Sequence, residues 1–274
     1  MNALIGFDES ADAVAALHAA TALLPPAAAT VLHVRGVPHG DESPVEEARE
    51  EAESLAIADR GAALVRSAGW RADSASTSSF GGAWDQILRV ADEVQAEVIV
   101  LGARGLKGLP AVLGSVSDAV VHRASQPTLV VPSPGDGEQV PLDGPVLVAY
   151  DGTPGARAAL DAATTLISSR ELLVCHVGGA GEPDADPVVT EAIDLARAAG
   201  ARARAVPALS GHAAPGLSGR AWRALADTAQ EHGAAVVVVG SRGRSAASEV
   251  VLGSVAMGVL HHAKRPVIVA PPAA

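Results

Sequence analysis

The chain repeats one succession of sequence elements in its two halves. Residues 98–132 read VIVLGARGLKGLPAVLGSVSDAVVHRASQPTLVVP, and residues 236–272 read VVVVGSRGRSAASEVVLGSVAMGVLHHAKRPVIVAPP. Each segment contains an apolar strand, a Gly-x-x-Gly turn, a loop, a Gly-Ser pair that opens a helix, and a closing strand after an X-Pro step. A turn that leads into the start of a helix presents backbone N–H groups, and such groups bind anions. The repeat therefore predicts two copies of one domain with an anion site.

The repeat extends to the beginning of each half. Asp8 in IGFDES matches Asp151 in VAYDGT, and His33 in VLHV matches His176 in VCHV; both pairs lie 143 residues apart. A period of this length fits a complete domain rather than a solenoid unit. The predicted divisions of the chain are residues 1–132 for the first domain, 133–144 for a linker without apolar periodicity, and 145–274 for the second domain.

Charge and composition exclude several classes of partner. The chain has 20 basic and 31 acidic side chains, a formal charge of −11, which repels nucleic acid and anionic lipid. Aromatic residues make up 2% of the chain, too few for platforms on which bases stack. Cys175 is the single cysteine, so no disulfide forms within the chain. Without a leader sequence or an apolar run of about 18–20 residues, we expect a cytoplasmic protein that binds neither nucleic acid nor membranes.

Apolar strands alternate with helical patterns along each half. In the first half the predicted strands are Ala3–Phe7, Thr30–Val34, Arg71–Ser76, Glu97–Leu101 and Thr128–Val131, and the predicted helices are Ala11–Leu24, Pro44–Ala68, Trp84–Val94 and Val116–Ala124. The second half repeats the order from Pro145 to Pro271. This alternation predicts the α/β class, with two tandem doubly wound, five-stranded parallel-sheet domains that are Rossmann-like and have the strand order 3-2-1-4-5.

The glycine turn of the second half is the predicted phosphate site. Gly240 and Gly243 follow the strand VVVV directly, and Gly253-Ser254 opens a helix after nine further residues. We expect glycine to allow a positive φ where the chain leaves the strand, and to keep Cβ atoms away from a ligand. The N–H groups and the dipole of the helix would favour phosphate, with Ser254 as a helix cap or a phosphate ligand. The alternative is an ordinary strand-to-helix turn.

Asp8 and Asp151 each follow the first strand of their half. In the predicted order the first and fourth strands are neighbours, so both carboxylates stand at the crevice where the strand order reverses. Because a carboxylate repels phosphate, we expect the two side chains to face a ribose hydroxyl or a base amino group. The alternative is that they cap the helices that begin near Ala11 and Gly155.

Histidine residues recur at matching positions of the two halves and form one adjacent pair near the end of the second. His33 and His176 are interpreted as satisfied core histidines, because each lies in an apolar strand. The pair His261-His262 lacks partners at metal-ligand spacing, so no metal site is predicted.

Arginine and tryptophan also recur at matching positions. Arg104 and Arg242 lie inside the glycine turns, where they either reach phosphates or are solvated. Trp84 and Trp222 occupy one helical position in the two halves, which favours packing in the core or between domains over stacking on a ligand.

Several catalytic and cofactor motifs are absent from the sequence. It contains no Gly-x-x-x-x-Gly-Lys-Ser/Thr, no Gly-x-Gly-x-x-Gly after either first strand and no Gly-x-Ser-x-Gly. The His-x-Gly-His and Ser-Gly-Gly-x-Asp-Ser sequences of adenylate-forming proteins with this strand order are absent as well. No catalytic residue is therefore predicted.

These residues resemble the universal stress protein family, specifically its tandem, two-domain members. The pattern Gly-x2-Gly-x9-Gly-Ser/Thr is met by Gly240, Gly243, Gly253 and Ser254, and the resemblance covers almost all of both halves. It implies a Rossmann-like fold of the HUP type and an ATP site. With the turn arginines included, the residues expected to bind nucleotide are Asp151, Val177, Val239, Gly240, Arg242, Gly243, Gly253, Ser254 and Val255 in the second half, and Asp8, Val34, Leu101, Gly102, Arg104, Gly105, Gly114, Ser115 and Val116 in the first.

The first half departs from the family pattern. Only eight residues, Leu106 to Leu113, separate Gly105 from Gly114, and Pro110 lies among them. Lys107 offers a compensating charge in the shortened loop.

The resemblance also implies a role and partners. It implies a stress-response protein that binds ATP, or ADP or AMP, with Mg²⁺ beside the phosphates, and that acts as a nucleotide-dependent sensor or regulator of an unidentified protein. The two halves are expected to form an intramolecular pseudo-dimer through closing strands at Thr128–Pro132 and Val267–Pro271, and chains to pair as homodimers. The alternatives are a slow ATPase or nucleotidyl-transfer enzyme, and a nucleotide-free interaction scaffold.

Overall fold

The protein is represented by a computed structural model that describes residues 1–37, 43–105, 113–132, 141–177, 186–208, 221–243 and 252–272. The chain divides into two compact units, Met1–Ser133 and Pro134–Ala274. Residues 133–140 of the predicted linker lie outside the described residues, as do Lys107 and Pro110 of the first glycine loop.

The first unit alternates strands and helices along its described residues. The strands are β1 (Asn2–Gly6), β2 (Ala28–Gly36), β3 (Arg71–Ser79), β4 (Val98–Gly102) and β5 (Thr128–Val131); the helices are α1 (Ala11–Leu23), α2 (Pro44–Ser67), α3 (Ala83–Glu93) and α4 (Ser115–Arg123). Each boundary lies within three residues of its predicted position. The periodicity of the sequence therefore locates these elements well.

The second unit repeats the same succession. Its strands are β6 (Val146–Ala149), β7 (Leu172–Cys175), β8 (Ala203–Ala205), β9 (Val236–Gly240) and β10 (Val267–Ala270), and its helices are α5 (Pro154–Leu166), α6 (Pro187–Ala198), α7 (Ala221–Glu231) and α8 (Ser254–His262). The predicted α/β class with tandem Rossmann-like domains is confirmed.

All strand pairs within each unit are parallel. In the first unit β1 pairs with β2 and β4, β2 pairs with β3, and β4 pairs with β5, which is the order β3-β2-β1-β4-β5. In the second unit β6 pairs with β7 and β9, β7 with β8, and β9 with β10. In each unit the chain builds the sheet outward in one direction from its first strand and in the other direction from its fourth strand. A crevice therefore opens between these two strands at their carboxyl ends, between β1 and β4 in the first unit and between β6 and β9 in the second.

Side-chain caps and apolar strands explain why these elements form. Ser10 accepts a hydrogen bond from the Ala13 N–H at 3.2 Å and so caps α1, and Ser43 forms a capping box with Glu46 at the start of α2. Strands β4 and β9 are Val-rich and buried on both faces, as expected where helices cover both sides of a parallel sheet. No helix among the described residues is both long and apolar enough to cross a membrane.

Candidate functional site

A cleft lies at the carboxyl ends of β6 and β9 in the second unit. It has a cavity volume of about 190 Å³. All nine residues that the sequence singles out in this half line it: Asp151, Val177, Val239, Gly240, Arg242, Gly243, Gly253, Ser254 and Val255. Parallel strands bring these positions together, because the segments that follow β6, β7 and β9 all leave the sheet at one edge.

The cleft is also lined by seven residues that sequence reasoning did not identify. They are Ala149, Tyr150, Ala156, Cys175, Ala221, Leu225 and Ala256. Most are small or apolar and carry no motif, so their only sequence signal is adjacency to a predicted site residue or a place on an inward helix face. Together they make one wall of the cleft largely apolar.

Position 240 requires glycine because a helix passes close to it, and not because its backbone has a positive φ angle. A Cβ atom built on Gly240 would overlap the carbonyl group of Gly155 in α5, and one built on Gly155 would overlap the carbonyl oxygen of Arg242. The two main chains therefore touch where the turn crosses the start of α5. The expected positive φ is wrong at both Gly240 and Gly243, since neither belongs to the residues with left-handed backbone, and φ of Gly253 is −64°.

Gly243 and Gly253 differ from Gly240, because the fold itself leaves room for a side chain. A Cβ atom on Gly243 would lie 3.6 Å from Oδ2 of Asp151, and one on Gly253 would lie 3.4 Å from the carbonyl oxygen of Ser241. Both distances are ordinary van der Waals contacts. Within the described parts of the chain, neither φ nor packing explains the two glycines, and their missing side chains widen the cleft beside the main chain.

The start of α8 is fixed against the glycine turn 240–243. The Gly253 N–H donates to the carbonyl oxygen of Ser241 at 2.8 Å, which closes the loop between them. The next amides, of Ser254 and Val255, occupy the first turn of the helix, where N–H groups have no partner inside the helix. Both residues line the cleft, so the positive end of the α8 dipole is directed to it.

Asp151 supports the turn after β6 and does not cap α5. Its Oδ1 accepts hydrogen bonds from the N–H of Thr153 at 3.1 Å and from the hydroxyl of Thr153 at 2.6 Å. The helix cap is Thr153, which accepts from the Ala156 N–H at 3.2 Å. The capping alternative for Asp151 is therefore wrong, and so is the one for Asp8, because Ser10 caps α1.

Two titratable side chains in the cleft wall stay neutral at physiological pH. Burial raises the pKa of Cys175 to about 12, although a hydrogen bond with Thr228 acts in the opposite direction. Burial also raises the pKa of Tyr150, whose hydroxyl donates to Glu191 at 3.2 Å. Neither side chain is a nucleophile under these conditions, since only the thiolate or phenolate form would be reactive.

The sequence profile of the universal stress protein family matches residues 1–132 and 144–271. The chain belongs to the universal stress protein family. A universal stress protein of Mycobacterium tuberculosis is 36% identical over 187 residues, which is 64% of this chain and 62% of the relative. A universal stress protein of Mycolicibacterium smegmatis is 35% identical over 190 residues, 65% of this chain and 62% of the relative. The matches thus span less than two thirds of the length of these relatives.

The fold is shared with a solved member of the family. The crystal structure of a universal stress protein from Archaeoglobus fulgidus superimposes with a TM-score of 0.74, covers 99% of this chain and 98% of its own, and is 24% identical in sequence. Membership of the family with two tandem domains supports a role in stress response.

The first universal stress protein domain arranges its predicted residues differently. Val34 and Val116 pack against a buried apolar cluster that includes Leu101 and Ile99. Gly102 is required by packing, since a Cβ atom there would lie 2.6 Å from the main chain of Asp12. The remaining predicted residues lie around the turn: Asp8 after β1, Arg104 and Gly105 in the turn, and Gly114 and Ser115 at the start of α4.

Arg104 of this domain is partly exposed and pairs with a carboxylate of α1. Its Nε donates to Oδ2 of Asp12 at 3.1 Å, and its backbone N–H donates to the same oxygen at 3.0 Å. Arg242, at the matching position of the second universal stress protein domain, lines the cleft.

Both histidines have polar partners, as expected, but neither residue is fully buried, and His176 follows β7 rather than lying in it. Nδ1 of His33 lies 2.8 Å from the carbonyl oxygen of Phe7. Nδ1 of His176 lies 2.7 Å from Oδ2 of Asp186, and the two side chains are only 9% and 10% exposed. His176 directly precedes Val177 of the cleft wall, so this pair connects the end of β7 with the start of α6.

We expect Asp186→Ala to destabilise the second domain in a pH-dependent manner. Burial disfavours the ionised carboxylate, but hydrogen bonds from His176 and the Val188 amide outweigh this effect and hold the pKa of Asp186 below its ordinary value. A lowered carboxylate pKa stabilises the fold above about pH 4, and this contribution is lost as the pH falls further. Loss of the cap and the buried bond should cost about 1–3 kcal/mol at pH 7.

Thermal melts of wild type and Asp186→Ala at pH 7 and pH 3.5 measure this effect. The difference between the two proteins should shrink at the lower pH. A difference that stays constant over this range would contradict the assigned role of the carboxylate.

The tryptophans pack within their own domains. Trp84 contacts the apolar cluster of the first domain, and the guanidinium of Arg123 lies 4.7 Å from its ring centroid. Trp222 stacks on His262 with ring centroids 4.2 Å apart and is not among the residues that line the cleft.

Over the described parts of the chain, no three His, Cys, Asp or Glu side chains gather as metal ligands.

Proposed function

We propose that the cleft of the second domain binds adenine nucleotide, with ATP as the principal ligand, and that nucleotide occupancy regulates the protein in the stress response. The observation that carries this proposal is the pair Gly243 and Gly253. Among the described residues nothing requires glycine at either position, yet both line the cleft. A ligand that lies against the main chain explains their identity, because a side chain at either place would occupy its space.

The phosphate end of the ligand fits the start of α8. Ser254 and Val255 of the first turn of α8 and Arg242 of the glycine turn all line the cleft. Helix amides and a guanidinium together form a favourable environment for phosphate oxygens, since both donate hydrogen bonds and carry positive charge.

The apolar lining of the cleft suits the adenosine end of the ligand. Val177, Ala149 and Leu225 offer an apolar surface against which a base can lie. Asp151 stands at the crevice, where its carboxylate can accept from a ribose hydroxyl or a base amino group. If Mg²⁺ accompanies the phosphates, Asp151 is the carboxylate among the lining residues that would hold it, directly or through water.

Regulation requires only that nucleotide binds one conformation better than another. A ligand then shifts the population toward the state with the higher affinity, and partner contacts change with that population. The function proposed here is accordingly that of a sensor or regulator rather than of an enzyme with a dedicated substrate.

Titration of the purified chain with ATP and Mg²⁺ tests the proposal through its melting temperature. We expect the melting temperature to rise and to saturate with a micromolar midpoint, because a ligand at 100 times its Kd stabilises the folded state by about 2.7 kcal/mol. Adenosine and inorganic triphosphate can each make only part of the contacts of ATP, so each should raise the melting temperature less than ATP at equal concentration. A melting curve that does not move across a wide ATP titration would refute the proposal.

A further inference from the structure

The two domains differ at the second residue of the helix that crosses the glycine turn. Asp12 occupies this position in α1, and Gly155 occupies it in α5. In both domains the turn lies close to the main chain of the helix, since Cβ atoms on Gly102 and Gly240 would overlap Asp12 and Gly155. Only the aspartate adds a carboxylate, which accepts from the Arg104 N–H. One position therefore changes what lies beside the two turns.

Asp12 engages the turn of the first domain as an internal anion. Its side chain is only 9% exposed, and Oδ2 accepts both the backbone N–H and the Nε–H of Arg104. The first turn of a helix stabilises an anion, so the carboxylate is well held where it stands. The two donors of Arg104 are thus already used by the protein itself.

Space beside the turn is also smaller in the first domain. A Cβ atom on Gly105 would lie 2.7 Å from Oδ2 of Asp8, against 3.6 Å for the matching pair Gly243 and Asp151. A Cβ atom on Gly114 would lie 3.2 Å from the carbonyl oxygen of Ala103. Among the described atoms, the first domain thus leaves less space at Gly105 and Gly114 than the second domain leaves at Gly243 and Gly253.

We propose that each chain binds one nucleotide, in the second domain, and that Asp12 closes the first domain to it. An incoming phosphate would meet a carboxylate at the turn and would have to displace it from Arg104. In the second domain Gly155 stands at the position of Asp12 and brings no carboxylate to the turn, so we expect phosphate to prefer the second domain. This inference rests on the proposed function of the cleft and adds that its counterpart is specialised.

The stoichiometry of ATP binding to the full chain tests the inference. Isothermal titration in the presence of Mg²⁺ should give one site per chain, and native mass spectrometry should show a single bound nucleotide. Two sites of similar affinity would overturn the inference and leave the proposed function standing. No binding at all would overturn both.

A variant pair tests the role of Asp12. In Asp12→Asn the side chain keeps its size but loses its charge. We expect the first domain of this variant to bind ATP at least about tenfold more tightly than the first domain of the wild type, so that a second site appears. Asp85→Asn is the matched control, since Asp85 is an acid in the first turn of another helix of the same domain, α3. The control should keep one site.

Each outcome of the variant experiment is decisive. A second site in Asp12→Asn and not in Asp85→Asn supports the assignment. One site in both variants, with melting temperatures that show folded protein, overturns the role given to Asp12. A second site in both variants also overturns it, because the effect would then come from net charge alone.

Discussion

Gly155→Asp, which places the residue of the first domain into the second, is expected to destabilise the protein by about 3 kcal/mol or more. The new Cβ atom would overlap the carbonyl oxygen of Arg242. The main chain of α5 fixes the position of the Cβ atom, and the oxygen belongs to the main chain of the turn after β9, so no rotamer change can separate them. Because whole domains are stable by only about 5–15 kcal/mol, this loss should appear as a large fall in melting temperature.

The reciprocal substitution is the control for Gly155→Asp. Asp12→Gly removes the hydrogen bonds to Arg104 but creates no overlap, and we expect a smaller cost of about 2 kcal/mol. Thermal melts followed by circular dichroism measure both variants. A Gly155→Asp protein that melts like wild type, or that loses less than Asp12→Gly, would contradict the close contact between turn and helix.

Gly253→Val is expected to weaken ATP binding at least about tenfold, a loss of about 1.4 kcal/mol, while the protein stays folded. The Cβ atom itself meets only the carbonyl oxygen of Ser241 at 3.4 Å, so the main chain can remain in place. The two methyl groups beyond it would fill the cleft at the start of α8. Isothermal titration gives the affinity, and the melting temperature without nucleotide shows whether the fold is retained.

Gly253→Ala is the matched control for the cleft. It adds the Cβ atom without the methyl groups, and its affinity should lie between those of wild type and Gly253→Val. Gly240→Val is unsuitable for this purpose, because its side chain would overlap Gly155 and damage the fold directly. An affinity of Gly253→Val equal to that of wild type would contradict the position of the ligand against this residue.

The family pattern locates the glycine turn from sequence but does not explain each glycine. Sequence reasoning treats Gly240, Gly243 and Gly253 alike and expects positive φ, and the structure separates them. Gly240 has to be glycine because α5 passes over it, a contact with a residue 85 positions earlier in the chain. Such a contact depends on how the elements pack and leaves no mark in the local pattern.

The composition of the cleft wall was equally hard to predict. Polar residues of the motif, such as Asp151 and Ser254, are recognisable because their chemistry is unusual next to apolar strands. Tyr150, Cys175 and Leu225 read as ordinary core residues, and only the arrangement of β6, β7 and α7 around one crevice places them in the lining of the cleft.

Periodicity and the doubled pattern can be read along the chain, so the amino-acid order alone was enough to predict two α/β domains, the bounds of the first domain's helices and strands to within three residues, and the family. Which of two similar turns has room for a ligand is a different matter. It depends on Asp12 and Arg104, which are 92 residues apart in the chain and share a hydrogen bond only after β1 and β4 have paired. Interactions of this kind form through packing across the sheet, and they distinguish two halves whose motifs look nearly the same.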